Sequence, residues 1–421
     1  MEGGVKMKEK LFLKQDVSDK IEKACQIENY EFKALKRALK MDRDKLIEEI
    51  KNSGLKGRGG AGFPTGVKWE LGAKEKAEKK YMICNADEGE PGTFKDRYLL
   101  EYAPFKVLEG IVIAAYAVEA SEGFIYIRGE YANSIAIFQE VIDQGRENNI
   151  LGNKILDSEC SFDLGLIKGA GAYVCGDETS LLNSIEGERG QSRIKPPYPV
   201  QKGLFGFPTV VNNVETLATA AEIAKEGSSK YTKLGTSDSR GTKLVSLSGD
   251  VNEPGVYEIE FGEYTIEEIV TQFGGGVKNG GNIKFVIPGG ISTSILPPDK
   301  LDTFYTYEDL EKAGSSLGSG AMIVVSDTHD TVDLLSNVAK FYMDETCGTC
   351  FPCREGNRQI YHLIEQAKKN NGFSRRDMEI ITDVGKTISL AARCGLGQSS
   401  LNFVQSVLDN FQDEVLARGE V

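Results

Sequence analysis

The chain has 421 residues, 40% apolar and 27% charged, enough for two or three domains with cores of their own. A formal net charge of −13 argues against nucleic-acid binding through phosphate contacts. The longest apolar run, 111–118, is far too short to cross a bilayer, so direct membrane insertion is not expected.

Helical spacing with many Lys and Glu marks residues 17–53, so 1–54 is expected as an N-terminal helical segment. From 55 to 238 short apolar strands alternate with helices, as in an α/β layer domain. Residues 81–84, 124–127 and 172–175 read as strands, 103–118 as a buried helix, and a further helix opens at Glu178. The small polar stretches 227–229 and 235–239 suggest a linker. Residues 242–325 then read as a small α+β module, with strands at 243–247, 255–259 and 283–287. Its helix spans 264–270, is capped by Thr265 and ends at Gly274-Gly275-Gly276. Residues 329–421 are helical.

Glycine is the compositional outlier, at 47 residues, where average usage of about 7% would give far fewer. The run 57–66 contains G-x-G-x-x-G, but the element before it is helical and no helix obviously opens behind Gly62, so it is not a Rossmann turn. Its bare backbone can still lie against a phosphate or a flat ring, with Arg58 and Lys68 supplying charge. An ordinary flexible loop is the competing reading. The segment Asn85-Ala86-Asp87-Glu88-Gly89-Glu90 leaves the carboxyl end of a strand, where open α/β sheets bind ligands, although a solvated acidic turn would look the same. Asp177, Thr179 and Asn213 suit helix caps, and Asn212 suits a heterocycle. With only His329 and His362, no histidine-based catalytic site can be assembled.

Cys347, Cys350 and Cys353 place three thiols at three-residue steps, and Cys394 is the only other cysteine in the C-terminal half. Such a set suits a [4Fe–4S] cluster or a structural zinc, and the three-plus-one arrangement favours iron–sulfur. Cys25, Cys84, Cys160 and Cys175 are scattered singly, which is no disulfide framework. No apolar signal core follows the N-terminus. A reducing, cytoplasmic location is expected, free or within a membrane-attached assembly.

Taken in order, the glycine loop, the 85–92 and 169–179 segments, Lys195-Pro196-Pro197-Tyr198-Pro199 and the cysteine motif closely resemble the NADH-binding flavoprotein subunit of respiratory complex I. The same family serves NAD-linked hydrogenases, formate dehydrogenases and electron-bifurcating enzymes. The resemblance covers residues from about 30 to 410. It implies an α/β nucleotide-binding domain, a ubiquitin-like (β-grasp) module and a C-terminal helical bundle holding one [4Fe–4S] cluster. It further implies that Gly57, Arg58, Gly59, Lys68, Asn85, Asp87, Glu88, Gly176, Glu178, Asn212, Asn213 and Thr216 line FMN. Phe63, Lys68, Glu90, Tyr173, Glu178, Lys195 and Tyr198 would contact NADH, with Gly60, Asp177 and Val211 completing the cofactor-binding set. The implied chemistry is hydride transfer to FMN, followed by single-electron transfer to the cluster on Cys347, Cys350, Cys353 and Cys394. It needs positioning, by Glu90, Glu178 and Lys68, and no catalytic acid or base. The acidic Asp87, Glu88 and Glu90 should favour NADH over NADPH.

Implied partners are a thioredoxin-like [2Fe–2S] subunit and a further iron–sulfur subunit, since this looks like a minimal core without its own exit clusters. Two positions depart from the family pattern: Thr346 stands where Ser is usual and Asp177 where Glu is usual. Arg393 puts a cation beside Cys394. The alternatives are the same site run towards NAD⁺ reduction, and a non-redox, zinc-stabilised nucleotide-binding module.

Overall fold

A computed structural model describes residues 21–417; of the helix expected over 17–53, residues 17–20 lie outside the described part. The rest of that segment is broken into short pieces, of which the longest, α1 (Arg43–Ser53), is capped by Asp42 and stopped by left-handed Gly54. A second helix, α2 (Thr65–Lys74), does open directly behind the glycine loop. It escaped notice because Gly66 and Gly72 dilute its helical signal. Both glycines are required, since a Cβ at Gly66 would collide with the Lys51 backbone of α1 and one at Gly72 with Val210.

The first sheet is wholly parallel, in the order β3 (Asp163–Lys168), β2 (Glu122–Ile127), β1 (Tyr81–Ala86) and β4 (Thr209–Asn213). Its pleat sorts side chains into two cores. Met82, Cys84, Ala86, Ile125 and Ile127 face one core with the helices α3 (Lys95–Tyr102), α4 (Pro104–Val118) and α5 (Ala132–Glu147). Tyr81, Ile83, Tyr126 and Val211 face the other, shared with α6 (Glu178–Ile185) and the C-terminal helices. Helix α4 is buried almost all round because it runs between the sheet and α7 (Val214–Glu226), to which Lys106 and Glu222 bind it in a buried ion pair of 3.0 Å.

Residues 172–175 are not a strand. They form a 3₁₀ turn, Tyr173–Gly176, and the neighbouring strand is β3. The apolar run had the composition of a strand, but it is buried at a turn against α6, where no ladder partner is available. The stretch expected as a linker is also ordered: Tyr231 and Ser239 are buried, and Ser228–Tyr231 is helical.

The second sheet is mixed, in the order β6 (Gly255–Glu260), β5 (Thr242–Gly249), β8 (Ala321–Ser326) and β7 (Ile283–Ile287), with β5 and β8 parallel. Its short helix starts with a reciprocal Thr265/Glu268 capping box and ends at Gly274. Four longer helices close the chain: α8 (Thr331–Glu345), α9 (Phe351–Lys369), α10 (Arg375–Ala391) and α11 (Asn402–Asn410). Among the described residues, no helix is long and apolar enough to cross a membrane.

Candidate functional site

At the carboxyl ends of β1 and β4 lies a cleft of about 680 Å³, continuous in its lining with a second space of about 470 Å³. Of the expected cofactor residues, Gly57, Gly59, Gly60, Phe63, Lys68, Asn85, Gly176, Asp177, Glu178, Lys195, Tyr198, Val211, Asn212, Asn213 and Thr216 line the first. Glu88, Glu90 and Tyr173 line the second, together with Gly59, Gly60, Asn85, Gly176 and Asn213.

The glycine loop presents bare backbone to this cavity. Gly60 has φ +135°, and no atom stands within 4 Å of where its Cβ would be, whereas a Cβ at Gly59 would press on Asn213 at 3.1 Å. Such a surface fits a flat ring. Asn213 caps α7 by accepting from Glu215 N (3.0 Å) and gives its amide to Asp96 (2.6 Å), so its side chain is fully engaged in shaping the wall. Asn212 is held by the Trp69 indole at 2.9 Å, and Asn85 donates to Gly176 O at 2.9 Å. Asp177 caps α6 through Thr179 N and Ser180 N, as its position suggests.

Charge is arranged in one lysine–glutamate group. Glu178 lies between Lys195 (3.1 Å) and Lys68 (3.6 Å), and Lys68 also donates to Val211 O at 3.1 Å. Burial alone would lower the Lys195 ammonium, but Glu178 and Asp177 outweigh it and hold it above its ordinary value. Phe63 and Tyr198 stand half-exposed at the mouth. Glu88 accepts from Asp96 N (2.7 Å) and Arg97 N (2.9 Å) at the start of α3, and burial, with Asp96 nearby, pushes its carboxyl up to about 7.

Two expected residues are not at the cavity. The Arg58 guanidinium turns away, bonded to Tyr231 OH (2.8 Å) and Arg240 O (3.0 Å) and stacked over Phe261. An arginine in a glycine loop reads as a phosphate ligand, yet here the buried tyrosines and the ring of the second sheet offer it more partners. Asp87 is buried behind Gly89 and Gly176 and does not line the space. Conversely, the sequence did not point to Ser292, Thr293 and Ser319 of the second-sheet domain, or to Gly395 and Leu396. The only local signals were the glycine-rich turns 289–290 and 318–320.

Gly395 and Leu396 follow Cys394, the N-cap of a short helix, and Cys350 stands at the N-cap of α9 with Cys353 in its first turn. Helix N-termini favour thiolates and an anionic cluster. Burial pushes the Cys353 thiol up, and Cys394, Cys350 and Cys347 add to the rise. Thr346 Oγ1 and Asn357 Nδ2 contact the Cys353 sulfur at 3.3 and 3.4 Å, and a Cβ at Gly397 would sit 3.2 Å from it. Thr346 therefore keeps a hydroxyl on the cysteine loop. Among the described residues, no three His, Cys, Asp or Glu side chains are drawn around a single-ion site. Arg189 donates to Cys347 O and Gln191 accepts from Thr349 (2.7 Å), tying the α/β domain to the cysteine loop. Glu345 accepts from Tyr173 N at 3.0 Å, tying it to the cavity.

Residues 50–222 match the Nuo51 FMN-binding domain, 243–324 the SLBB domain, and 333–418 the iron–sulfur binding region of NADH-ubiquinone oxidoreductase F. Together they define a flavin-dependent iron–sulfur oxidoreductase component, and the iron–sulfur match sets the zinc alternative aside. The chain is 41% identical over 390 residues to an F-type subunit of the NADH-quinone oxidoreductase of Rhizobium meliloti, covering 92% of each. It is 41% identical over 387 residues to NADP-reducing hydrogenase subunit HndC of Solidesulfovibrio fructosivorans, covering 91% of this chain and 78% of the relative. Among solved structures, an NAD⁺-reducing [NiFe]-hydrogenase in the air-oxidized state superposes with TM-score 0.79 at 36% identity, over 89% of this chain. The chain spans 62% of that solved chain. It belongs to the family of F-type subunits of NADH-quinone oxidoreductase.

Proposed function

We propose that this chain oxidises NADH in the 680 Å³ cleft and delivers the electrons through the Cys347/Cys350/Cys353/Cys394 cluster to partner iron–sulfur subunits. The chemistry supplied by bound FMN would be acceptance of hydride from NADH and one-electron release, and Cys347, Cys350, Cys353 and Cys394 would hold the [4Fe–4S] acceptor. The chain's own residues supply placement. The glycine loop and Asn85 would seat the flavin ring, Phe63 and Tyr198 would flank the nucleotide at the mouth, and Lys68, Glu178 and Glu90 would orient its polar groups. The second-sheet domain, read as a ubiquitin-like module, covers the inner end of the cavity and restricts water.

One observation carries this reading. The wall holding Asn85, Glu90 and Tyr173 faces Gly395 and Leu396, the residues directly after Cys394. Flavin site and cluster are therefore neighbours, as single-electron transfer requires. Cys347 and Cys350 are partly exposed, and the adjoining Phe351 ring is exposed, so the cluster has a way out towards another subunit. We assign those partners as a thioredoxin-like [2Fe–2S] subunit and a further iron–sulfur subunit. The location we propose is the cytoplasm, where NADH is available, free or in a membrane-attached complex. The same site run towards NAD⁺ reduction is the second reading, favoured by the similarity to hydrogenase subunits.

Stopped-flow absorbance of the Cys353→Ala protein tests the division of labour. NADH should still bleach the flavin band while reduction of the iron–sulfur partner is abolished. If flavin reduction stops in protein that retains FMN, the two sites do not have separate roles. Identifying the subunits of the intact complex distinguishes the two directions.

A further inference from the structure

Glu90 is held from both sides of the cavity. Its Oε2 accepts from the Tyr173 hydroxyl at 2.5 Å, within the α/β domain. Its Oε1 accepts from the backbone N–H of Ser292 at 2.8 Å, on the loop that follows β7 in the second-sheet domain. Gly290, two residues earlier, lies flat against the same side chain. It has φ +99°, and a Cβ there would stand 2.8 Å from the Glu90 carboxyl carbon and closer still to Oε1.

The loop has no room to retreat. Thr293 donates to Gly290 O through both its N–H and its hydroxyl, each at 2.9 Å, and Ser319 N donates to Gly289 O at 3.0 Å. A Cβ at Gly289 would meet Leu317 O at 2.5 Å. A clash at Gly290 would therefore be relieved by the free end of Glu90 and not by the backbone.

An ionised carboxylate offers about four acceptor positions, and Tyr173 and Ser292, through its N–H and its hydroxyl, do not fill them all. The others remain for N–H or O–H donors of a ligand in the cavity that Glu90 lines. A glutamate free to rotate would lose rotamer entropy on meeting such a ligand, and one already clamped does not.

We infer that Gly290 and Ser292 are positioning residues for the nucleotide, fixing the Glu90 carboxylate in the orientation that receives the nicotinamide end of NADH. This rests on the proposed NADH site. The SLBB-type domain is then part of the substrate site and not a spacer between cofactors.

A double-mutant cycle on the intact complex tests it, with Gly290→Ala, Glu90→Ala and both together. The readouts are KM and kcat for NADH, the Kd of NAD⁺ by calorimetry, and FMN content. Gly290→Ala should raise KM and Kd about tenfold or more with FMN retained, and should add less than about twofold in the Glu90→Ala background. Equal effects of Gly290→Ala in both backgrounds, or no effect in either, would overturn the inference. If Gly290→Ala does not fold, Ser292→Pro, which replaces the donor N–H by a ring carbon facing Glu90 Oε1, enters the same cycle with the same criteria. If Glu90→Ala itself leaves KM and Kd unchanged, the error lies in assigning Glu90 to NADH, and the positioning role falls with it.

Discussion

Lys243 of β5 donates to Glu215 of α7 at 2.5 Å, and neither side chain is exposed. The same carboxylate accepts Leu244 N (2.9 Å) and pairs with Lys95 at 3.1 Å. Lys95 pairs with Asp96 at 2.7 Å, and Asp96 holds the Asn213 amide that shapes the cavity wall. Two buried lysines and two buried carboxylates thus couple the second sheet to the cavity wall at Asn213. Burial pulls the Lys243 ammonium down to about 7 against the attraction of Glu215.

Removing Lys243 leaves part of a buried anion uncompensated. Lys243→Met should destabilise the protein by about 3–5 kcal/mol, the range for breaking one partner of a buried pair. Urea denaturation reads this directly, and a loss under about 1 kcal/mol would show that Lys95 alone neutralises Glu215.

Asp87 gives a pH signature. Burial pushes its carboxyl from 3.8 up to about 7, with Arg128 opposing. The folded state therefore keeps a proton that the unfolded state has lost between those values, and this group's contribution falls as pH rises from about 4 to 7. Asp87→Asn should flatten that slope in thermal unfolding, stabilising the protein at pH 7 by up to about 4 kcal/mol. Glu88 has the same sign, so part of the slope should remain. An unchanged slope would mean that Asp87 stays ionised in the folded protein.

Nucleotide choice should depend on Glu178. Its carboxylate neutralises Lys195 and Lys68 at the cleft. Glu178→Gln leaves the Lys68 and Lys195 ammonium groups less neutralised, with Asp177 still 3.7 Å from Lys195, and so better able to hold the extra phosphate of NADPH. The ratio of kcat/KM for NADH over NADPH should fall at least about tenfold, roughly 1.4 kcal/mol of discrimination. A ratio that does not move would place the phosphate-discriminating group elsewhere.

Cys394→Ala should remove the cluster and leave the flavin. Anaerobic protein should drop from about four irons per chain to near zero, as cubane stoichiometry requires. FMN content should hold, because the flavin wall rests on β1, β4 and the glycine loop. Joint loss of iron and flavin would show that Gly395 and Leu396 are needed to retain the cofactor.

What the sequence determined by itself was local chemistry. Thiol spacing, the caps at Asp177, Asn213 and Thr265, and the glycine run are written in a few consecutive residues. They act through backbone N–H groups and ligand geometry at short range, and the family resemblance that they carry together made the class of cofactor legible. The tertiary structure decided everything that depends on partners far along the chain. Arg58 turned from the cavity to Tyr231 because a buried guanidinium goes where hydrogen-bond acceptors and a ring meet it. Residues 172–175 became a turn because β3 already held the strand's place beside β2. Glu90 is clamped by a loop about two hundred residues away, through a backbone N–H that any sequence possesses. A contact made by backbone, between domains, leaves no side-chain pattern to read, and only packing brings it into being.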